Sequence, residues 1–480
     1  MSKMNKARVL LFVPNSRWYG KRPWPSISYA SLILSGILKD EYDFSILDAN
    51  GHDYSVEECV KLVAEANPQI VLVTGGSVEY YQQAHQACAV AKKACPSSVC
   101  ILGGVYPTTL PEEAVKDSNI DWVFMYHAED RILPFMDLAV KNKTEEMKNF
   151  PGIAYQDSNG KLVEVPLKDR IGHVKTMVKP DYSCIELAPY FDQSHKNYQF
   201  NSTKKTACII TSYGCPYNCV FCASRTISGL KVAFRPVEDV LEEIDFLVQK
   251  HSIEHLSILD DALLVKRDRL EKILNGLIER NYPLTWTGAS VNAWLLDEEL
   301  LLLMKKSGCH QLTISIESGS QRVLKEVINK PLDLKIVPNL IEICRRLDIQ
   351  LGANFVIGFP GETWDEIRQT FQFADDCGFD VSHFHIATPL PRTDLYNICV
   401  KNKCIPDDFS FLDSRFFGFG AGLISTDEFT PFELAVLRAF EWDRINFKTP
   451  ERTNRVLQLY LSTPEELENH RRQTRRKLGI

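Results

Sequence analysis

The chain has 480 residues, 45% of them hydrophobic and 24% charged, with a formal net charge of -7 at pH 7. That length suggests two to four folding units at about 150 residues each, the composition excludes a disordered chain, and the negative balance gives no general reason to expect nucleic-acid binding. The 14 cysteines fall well below the roughly 8–10% that marks a disulfide scaffold, so a reducing, cytoplasmic setting is expected.

The N-terminal apolar run "VLLFV" is too short for a secretion signal. No run approaches the ~18–20 apolar residues of a membrane span. From there to about residue 144, short apolar runs alternate with amphipathic segments: "RVLLFVP", "SYASLILSGILK", "DFSILDA", "SVEECVKLVAEA", "QIVLVTGG", "QQAHQACAVAKKA", "SVCILGG" and "DWVFMYH". Parallel strands need crossover helices and bury both faces, so this alternation predicts a doubly wound parallel sheet over 1–144. Ligands in such folds sit at the carboxyl ends of strands, where Gly75-Gly76 and Gly103-Gly104 stand.

Residues 145–203 read as a linker, with a hairpin predicted around Asn159-Gly160. Alternation resumes over 204–400, with strands at "ACIITSY", "HLSILDD", "PLTWTGAS", "HQLTISI", "QLGANFVIG" and "DVSHFHIATP". This predicts a parallel barrel or part of one, with functional residues at the strand C-termini. Residues 401–480 turn aromatic and then helical. Phe411, Phe416 and Phe417 are candidates for lining a pocket, and a packed core explains them as well. The basic end "ENHRRQTRRKLGI" fits a solvated helix face or an anionic partner equally.

Directly after the first barrel strand, "GCPYNCVFC" places Cys215, Cys219 and Cys222 on one loop. Gly214 and Pro216 allow a tight wrap, and spacings of four and three residues let one loop present three sulfurs to a single metal centre. A structural zinc site wants four closed ligands. The nearest fourth candidate, Cys208, is about 20 Å away along an extended strand at ~3.3 Å per residue. Three thiolates on a rim suit a [4Fe–4S] cluster with one iron open; zinc and three unligated core cysteines are the alternatives.

"CPYNCVFC", with Phe221 before its last cysteine, resembles the CxxxCxxC signature of the radical S-adenosylmethionine (SAM) superfamily. The resemblance implies a partial TIM-type (β/α)6 barrel, a cluster whose open iron binds the amino and carboxylate groups of SAM, and an electron donor such as flavodoxin or ferredoxin. Further segments match in order: Asp260 and Asp261 near the methionyl amine, Glu317 and Ser318 at the ribose, Val356, Gly358 and Glu362 beside the adenine, and Arg392 where relatives commonly have Gly. Each has a plainer reading, the aspartates as a helix N-cap pair and "GFPGE" as a strand-to-helix turn.

The first domain resembles the Rossmann-like cobalamin-binding domain of one branch of that superfamily, with Asp48, Ala49, Asn50, Thr74, Ser77, Gly103, Gly104, Tyr106, Pro107 and Thr108 at matching positions. Asn50 stands where a cobalt-ligating His would be, so no lower His ligand is expected; His52 is read as a solvated loop residue. "HAED" (His127–Asp130) replaces a Gly-Glu-Gly-Glu turn, adding bulk at a close approach. The resemblance implies a cobalamin-dependent methyltransferase acting on an unactivated carbon of a small molecule. The alternatives are a cobalamin-free radical SAM dehydratase or dehydrogenase on a sugar-like metabolite, and a zinc-holding binding protein. Tyr213, Trp286, Asn292 and His385 are further candidates near strand ends.

Overall fold

Five consecutive apolar residues, Val9 to Val13, are buried in strand β1 (Arg8–Val13), and a strand apolar without alternation belongs inside a sheet covered on both faces. The computed structural model describes residues 6–20, 27–171, 177–191, 205–288, 291–413, 422–460 and 463–477. The chain divides into two compact units, Met1–Gln193 with Thr226–Pro236, and Ser194–Arg225 with Val237–Ile480.

In the first unit, β1 is followed by β2 (Asp43–Asp48), β3 (Ile70–Thr74), β4 (Val99–Gly103), β5 (Trp122–Phe124), β6 (Ile153–Gln156) and β7 (Leu162–Glu164), in the sheet order β2-β1-β3-β4-β5-β6-β7. The first five are parallel and the last two antiparallel. Helices α1 (Tyr29–Leu38), α2 (Val56–Ala66), α3 (Tyr81–Ala94) and α4 (Ile132–Val140) separate the parallel strands and follow the last of them. A capping box starts α2, with Glu58 N–H donating to Ser55 Oγ and Ser55 N–H donating back to Glu58 Oε2. Strand order reverses between β1 and β3, so the loops after those two strands border the crevice where such sheets bind ligands. The hairpin expected inside the 145–203 linker is present as β6–β7, and it extends this sheet; Ile153 and Ala154 are fully buried against it, so this part of the expected linker carries core residues.

The second unit contains six parallel strands in chain order: β8 (Thr206–Ile209), β9 (His255–Ile258), β10 (Thr285–Gly288), β11 (Gln311–Glu317), β12 (Gln350–Ile357) and β13 (Val381–Ile386). Strands β8, β9 and β10 form one ladder and β11, β12 and β13 another, and a parallel bridge from Val291 to Ile314 joins the two. This is a partial barrel. Helices α5 (Val237–His251), α6 (Arg267–Arg280), α7 (Glu298–Lys306), α8 (Val337–Arg346) and α9 (Trp364–Cys377) fall between the strands. One side-chain parity on each strand packs against these helices. Leu312, Ile314 and Ile316 on β11, and Ala353, Phe355 and Ile357 on β12, are all buried.

The C-terminal region is helical, as α10 (Pro431–Asn446), α11 (Pro450–Tyr460) and α12 (Pro464–Lys477). Asn446 of α10 docks on β13, its Oδ1 accepting from Ser382 N–H at 2.8 Å and its Nδ2–H donating to Ser382 O at 2.9 Å. Asp375 of α9 is gripped by Arg444, Lys448 and Arg452 at 2.7–2.9 Å.

Candidate functional site

The three cysteines lie on the loop that leaves the C-terminal end of β8, and all three are half-buried. The loop starts from a fixed base. Asp260, 2% exposed at the end of β9, accepts from Thr211 N–H and Thr211 Oγ1, each at 2.6 Å, and from Ser212 Oγ. Arg269 of α6 closes this brace, donating to Thr211 O at 3.0 Å and Thr211 Oγ1 at 3.2 Å. Asp261 ties the loop's two ends together, since its Oδ2 accepts from Gly214 N–H at 3.1 Å and from Ser224 Oγ at 2.9 Å. Gly214 takes φ 87°, a left-handed conformation that a side chain would strain.

The remaining strand ends also reach this loop. After β10, Trp294 Nε1–H donates to Tyr217 OH at 3.0 Å, with the rings edge to face at 4.9 Å. After β11, Ile328 O accepts from Val220 N–H at 3.0 Å and Asn329 Nδ2–H donates to Asn218 O at 3.1 Å. After β12, Phe359 packs on Phe221 with centroids 5.6 Å apart. After β13, Leu395 N–H donates to Val220 O at 2.8 Å. Turns from all six strands thus set the position of one loop.

Burial pushes all three thiols up, Cys219 to about 11 and Cys222 to about 12, while the Lys330 ammonium pulls back on Cys215 and Cys219. A Cys215 thiolate would also raise Cys219 and Cys222, and a Cys219 thiolate would raise Cys222. Among the described residues no three His, Cys, Asp or Glu side chains stand close enough to hold a metal ion; the sulfurs share a loop without converging. The loop itself, from Thr211 to Ser224, carries neither a histidine nor a fourth cysteine. Cys208 lies on β8 at the level of Ser257.

The other expected residues divide into rim and brace. Glu317, at φ 71° and 6% exposed, pairs with Lys330 Nζ at 3.0 Å; that ammonium also stands 5.3 Å over the Trp294 ring. Ser318 is buried with its Oγ between Thr370 Oγ1 and Ser320 N–H, so it holds α9 to the strand end. Val356 is half-buried on β12. Gly358 has φ 88°, and a Cβ there would come within 2.4 Å of Leu434. Glu362 Oε2 accepts from Gly358 and Phe359 N–H at 2.7 and 3.1 Å, its Oε1 has no hydrogen-bond partner, and burial raises its pKa to about 8. Arg392 takes φ 61°, a conformation glycine adopts without strain.

Among the remaining candidates, Trp286 does not face a site: it is fully buried with its Nε1–H on Ser307 Oγ, because β10 turns it outward onto the helical layer. Asn292 is buried, and Tyr213 and His385 are half-buried. Phe411 packs on Tyr396 and Phe409 at 4.8 and 4.9 Å; Phe416 and Phe417 lie outside the described residues. Lys330, Arg269 and the Tyr217–Trp294 pair are not legible in the sequence, because no spacing rule links them to the cysteines.

In the first unit, Thr74, Ser77, Gly103, Gly104, Tyr106 and Pro107 gather at the carboxyl ends of β3 and β4, and Asn50 follows β2. Several have their polar atoms engaged inside the protein. Asn50 Oδ1 accepts from Ser16 N–H and Oγ at 3.1 and 2.8 Å. Tyr106, fully buried, meets His85 Nε2 at 2.7 Å, and His85 Nδ1 meets Asp117 at 2.6 Å. Thr108 Oγ1 donates to Gly104 O and accepts from Tyr126 N–H. Asp48 caps Gly51 and accepts from Tyr190 OH. Thr74 is half-buried and Ser77 exposed. A Cβ on Gly103 would meet only Phe124 O, at 3.5 Å, whereas Gly104 needs its φ of 118° and lies against Gly75. His52 is exposed and stacked on Tyr54. His127 Nε2 lies 2.9 Å from Ser228 Oγ, so the bulky ring is anchored within the unit.

The radical SAM superfamily profile matches residues 209–374. The chain is 27% identical over 450 residues to cytidylyl-2-hydroxyethylphosphonate methyltransferase of Streptomyces wedmorensis, covering 84% of this chain and 83% of that protein. It superposes on the cobalamin-dependent SAM radical enzyme OxsB with a TM-score of 0.73 at 15% identity, covering 98% of this chain and 72% of that one. The TM-score is 0.70 against the radical SAM methyltransferase TsrM of Kitasatospora setae, at 17% identity, with 83% of this chain and 76% of that one covered. Among the described residues no helix is long and apolar enough to cross a membrane.

Proposed function

We propose that the chain is a radical SAM enzyme of the branch with an N-terminal cobalamin-binding-type domain, as the profile match over 209–374 and the likeness to methyltransferases support, and that it reductively cleaves SAM and methylates an unactivated carbon of a small molecule. The observation that carries this reading is the bracing of one three-cysteine loop by the ends of all six barrel strands. A [4Fe–4S] cluster supplies the electron for SAM cleavage and cobalamin a methyl carrier. Cys215, Cys219 and Cys222 fit the first as a half-buried set of three thiols on one turn. Thr74, Ser77 and Gly103, with polar atoms or open backbone at the ends of β3 and β4, fit the second. Asn50 supplies no lower ligand, since Ser16 occupies its carbonyl oxygen.

The surrounding residues do the positioning. Asp260 and Asp261 fix the loop's base and close its ends. Phe221 of the loop packs on the fully buried Phe359, which ties the loop to the turn after β12. Lys330 neutralises Glu317 at the rim where the resemblance puts the SAM ribose. A reductant is required, and a flavodoxin or ferredoxin fits that need. His127, bulky where relatives carry glycine, favours a second reading in which the same scaffold works without cobalamin as a lyase or oxidoreductase.

The test is stoichiometric. Anaerobically reconstituted enzyme, given SAM, reductant and substrate, should release S-adenosylhomocysteine together with 5′-deoxyadenosine and a methylated product. Deoxyadenosine without S-adenosylhomocysteine selects the second reading. Cys219→Ala should abolish deoxyadenosine formation; continued cleavage in that variant would remove the cluster assignment.

A further inference from the structure

One cation beside the cysteine loop is buried, against the ordinary preference of lysine for the surface. Lys330 is 7% exposed, and an ammonium taken out of water costs free energy unless it is paired. Glu317 supplies the partner at 3.0 Å. A buried ion pair is often no more stabilising than well-packed apolar residues of the same volume, so stability does not explain the choice.

The backbone carries Lys330 to the loop. Val323–Ile328 forms a π-helical turn, a rare form that is frequent at functional sites. Asn329 ends it at φ 62°, and Lys330 N–H turns back to donate to Leu324 O at 2.8 Å. The two residues before the lysine are bonded to the loop on either side of Cys219, Ile328 O accepting from Val220 N–H and Asn329 Nδ2–H donating to Asn218 O. The ammonium stands 5.3 Å over the ring of Trp294, whose Nε1–H donates to Tyr217 OH, between Cys215 and Cys219.

The other charged groups tied to the loop do not do the same. Arg225 bonds Asn218 Oδ1 and Asp394, but its side chain is 45% exposed, so salt and solvent screen it. Asp261 and Glu317 are anions. The Lys330 ammonium acts from a low-dielectric setting, and at Cys215 and Cys219 it opposes the rise that burial imposes. Glu317 acts on Cys219 in the opposite sense and more weakly, so the pair presents its positive end to the sulfurs. Three thiolates on one loop repel one another, and an electron delivered to the group they hold adds a further negative charge. Net charge is one of the factors that set the potential of such a group.

We propose that Lys330 raises the reduction potential of the [4Fe–4S] cluster and so eases transfer of one electron from a low-potential donor of the flavodoxin or ferredoxin class. The donor is oxidised by one electron, the cluster is reduced by one, and no proton moves. The inference rests on the cluster assignment made under the proposed function and gives a role to a residue outside the ligand set. An opposite charge within ~4–6 Å moves a neighbouring ionisation by about one to three decades, and the low end is expected here because Glu317 offsets part of the effect.

The experiment is a redox titration of full-length, anaerobically reconstituted enzyme without SAM. It follows the electron paramagnetic resonance of the reduced cluster, with iron and sulfide counted per chain. Glu317→Gln combined with Lys330→Met removes both charges and strands neither. This double variant should take up native amounts of iron, melt close to the native chain, and shift the reduction equilibrium about tenfold toward the oxidised state, which is about 59 mV downward for one electron. Lys330→Arg keeps the charge and should stay near the native potential. A native potential in the double variant overturns the proposal, and so does loss of iron from it, which would make the pair a prop for the loop. Lys330→Arg falling as far as the double variant also overturns it, since charge would not be the cause. A native chain that takes up no iron and sulfide removes the cluster assignment itself.

Discussion

Replacing Asp260 with Asn separates two roles for a residue that resemblance places near SAM and the structure places under the cysteine loop. The carboxylate accepts three hydrogen bonds from Thr211 and Ser212 at 2% exposure and faces Arg269, itself 7% exposed. An amide keeps one acceptor for Thr211 N–H but loses the charge. Its NH2 must then compete at Thr211 Oγ1, where Arg269 already donates. Leaving a buried cation without its counter-charge costs about 3–5 kcal/mol, and part of that returns through hydroxyl rotation. About 3 kcal/mol remains, roughly a hundredfold shift against the ordered loop base. The assay is iron and sulfide per chain after anaerobic reconstitution, with the SAM dissociation constant measured on whatever cluster forms. Asp260→Asn should lose most of its iron, and Asp261→Asn, whose partners are more exposed, should lose less. Full iron content with weakened SAM binding would refute the brace and restore direct contact with SAM.

Lys330→Met should lower stability by about 3 kcal/mol, because it strands Glu317 as an unpaired buried carboxylate; adding Glu317→Gln should recover most of that, and a double-mutant cycle in urea showing simple additivity would contradict the pairing. For Asp375, burial acts to raise the carboxyl, but Lys448, Arg444 and Arg452 outweigh it and hold the pKa at about 2. A carboxyl depressed in the folded state contributes above its unfolded value near 3.9 and loses that contribution as pH falls through the folded one. Hydrogen exchange in α10 and α11 should therefore show Asp375→Asn about 2 kcal/mol less protected than the native chain at pH 6, with the gap closing as pH falls from about 4 to 2; a gap independent of pH would deny the ion cluster.

Chain order and local chemistry carried much of this protein's description. Three cysteines at fixed spacing behind a strand are a covalent fact, so their shared loop follows from the residues alone. The alternation of apolar runs with amphipathic helices likewise dictates parallel sheets, because parallel strands cannot pair without crossovers.

Folding settled which side chains are free to work and which are spent on support. Asp260, Ser318, Tyr106 and Asn50 stand where ligand-binding residues were expected, yet each has its polar atoms bound by groups from other elements, 49 residues away for Thr211 and Asp260. Lys330 meets Glu317 across 13 residues. Alternating parity is visible along one strand, but which parity faces inward depends on where the helices pack. A local pattern specifies the backbone a segment adopts; hydrogen-bond partners and electrostatic neighbours are properties of the closed barrel, which no single segment contains.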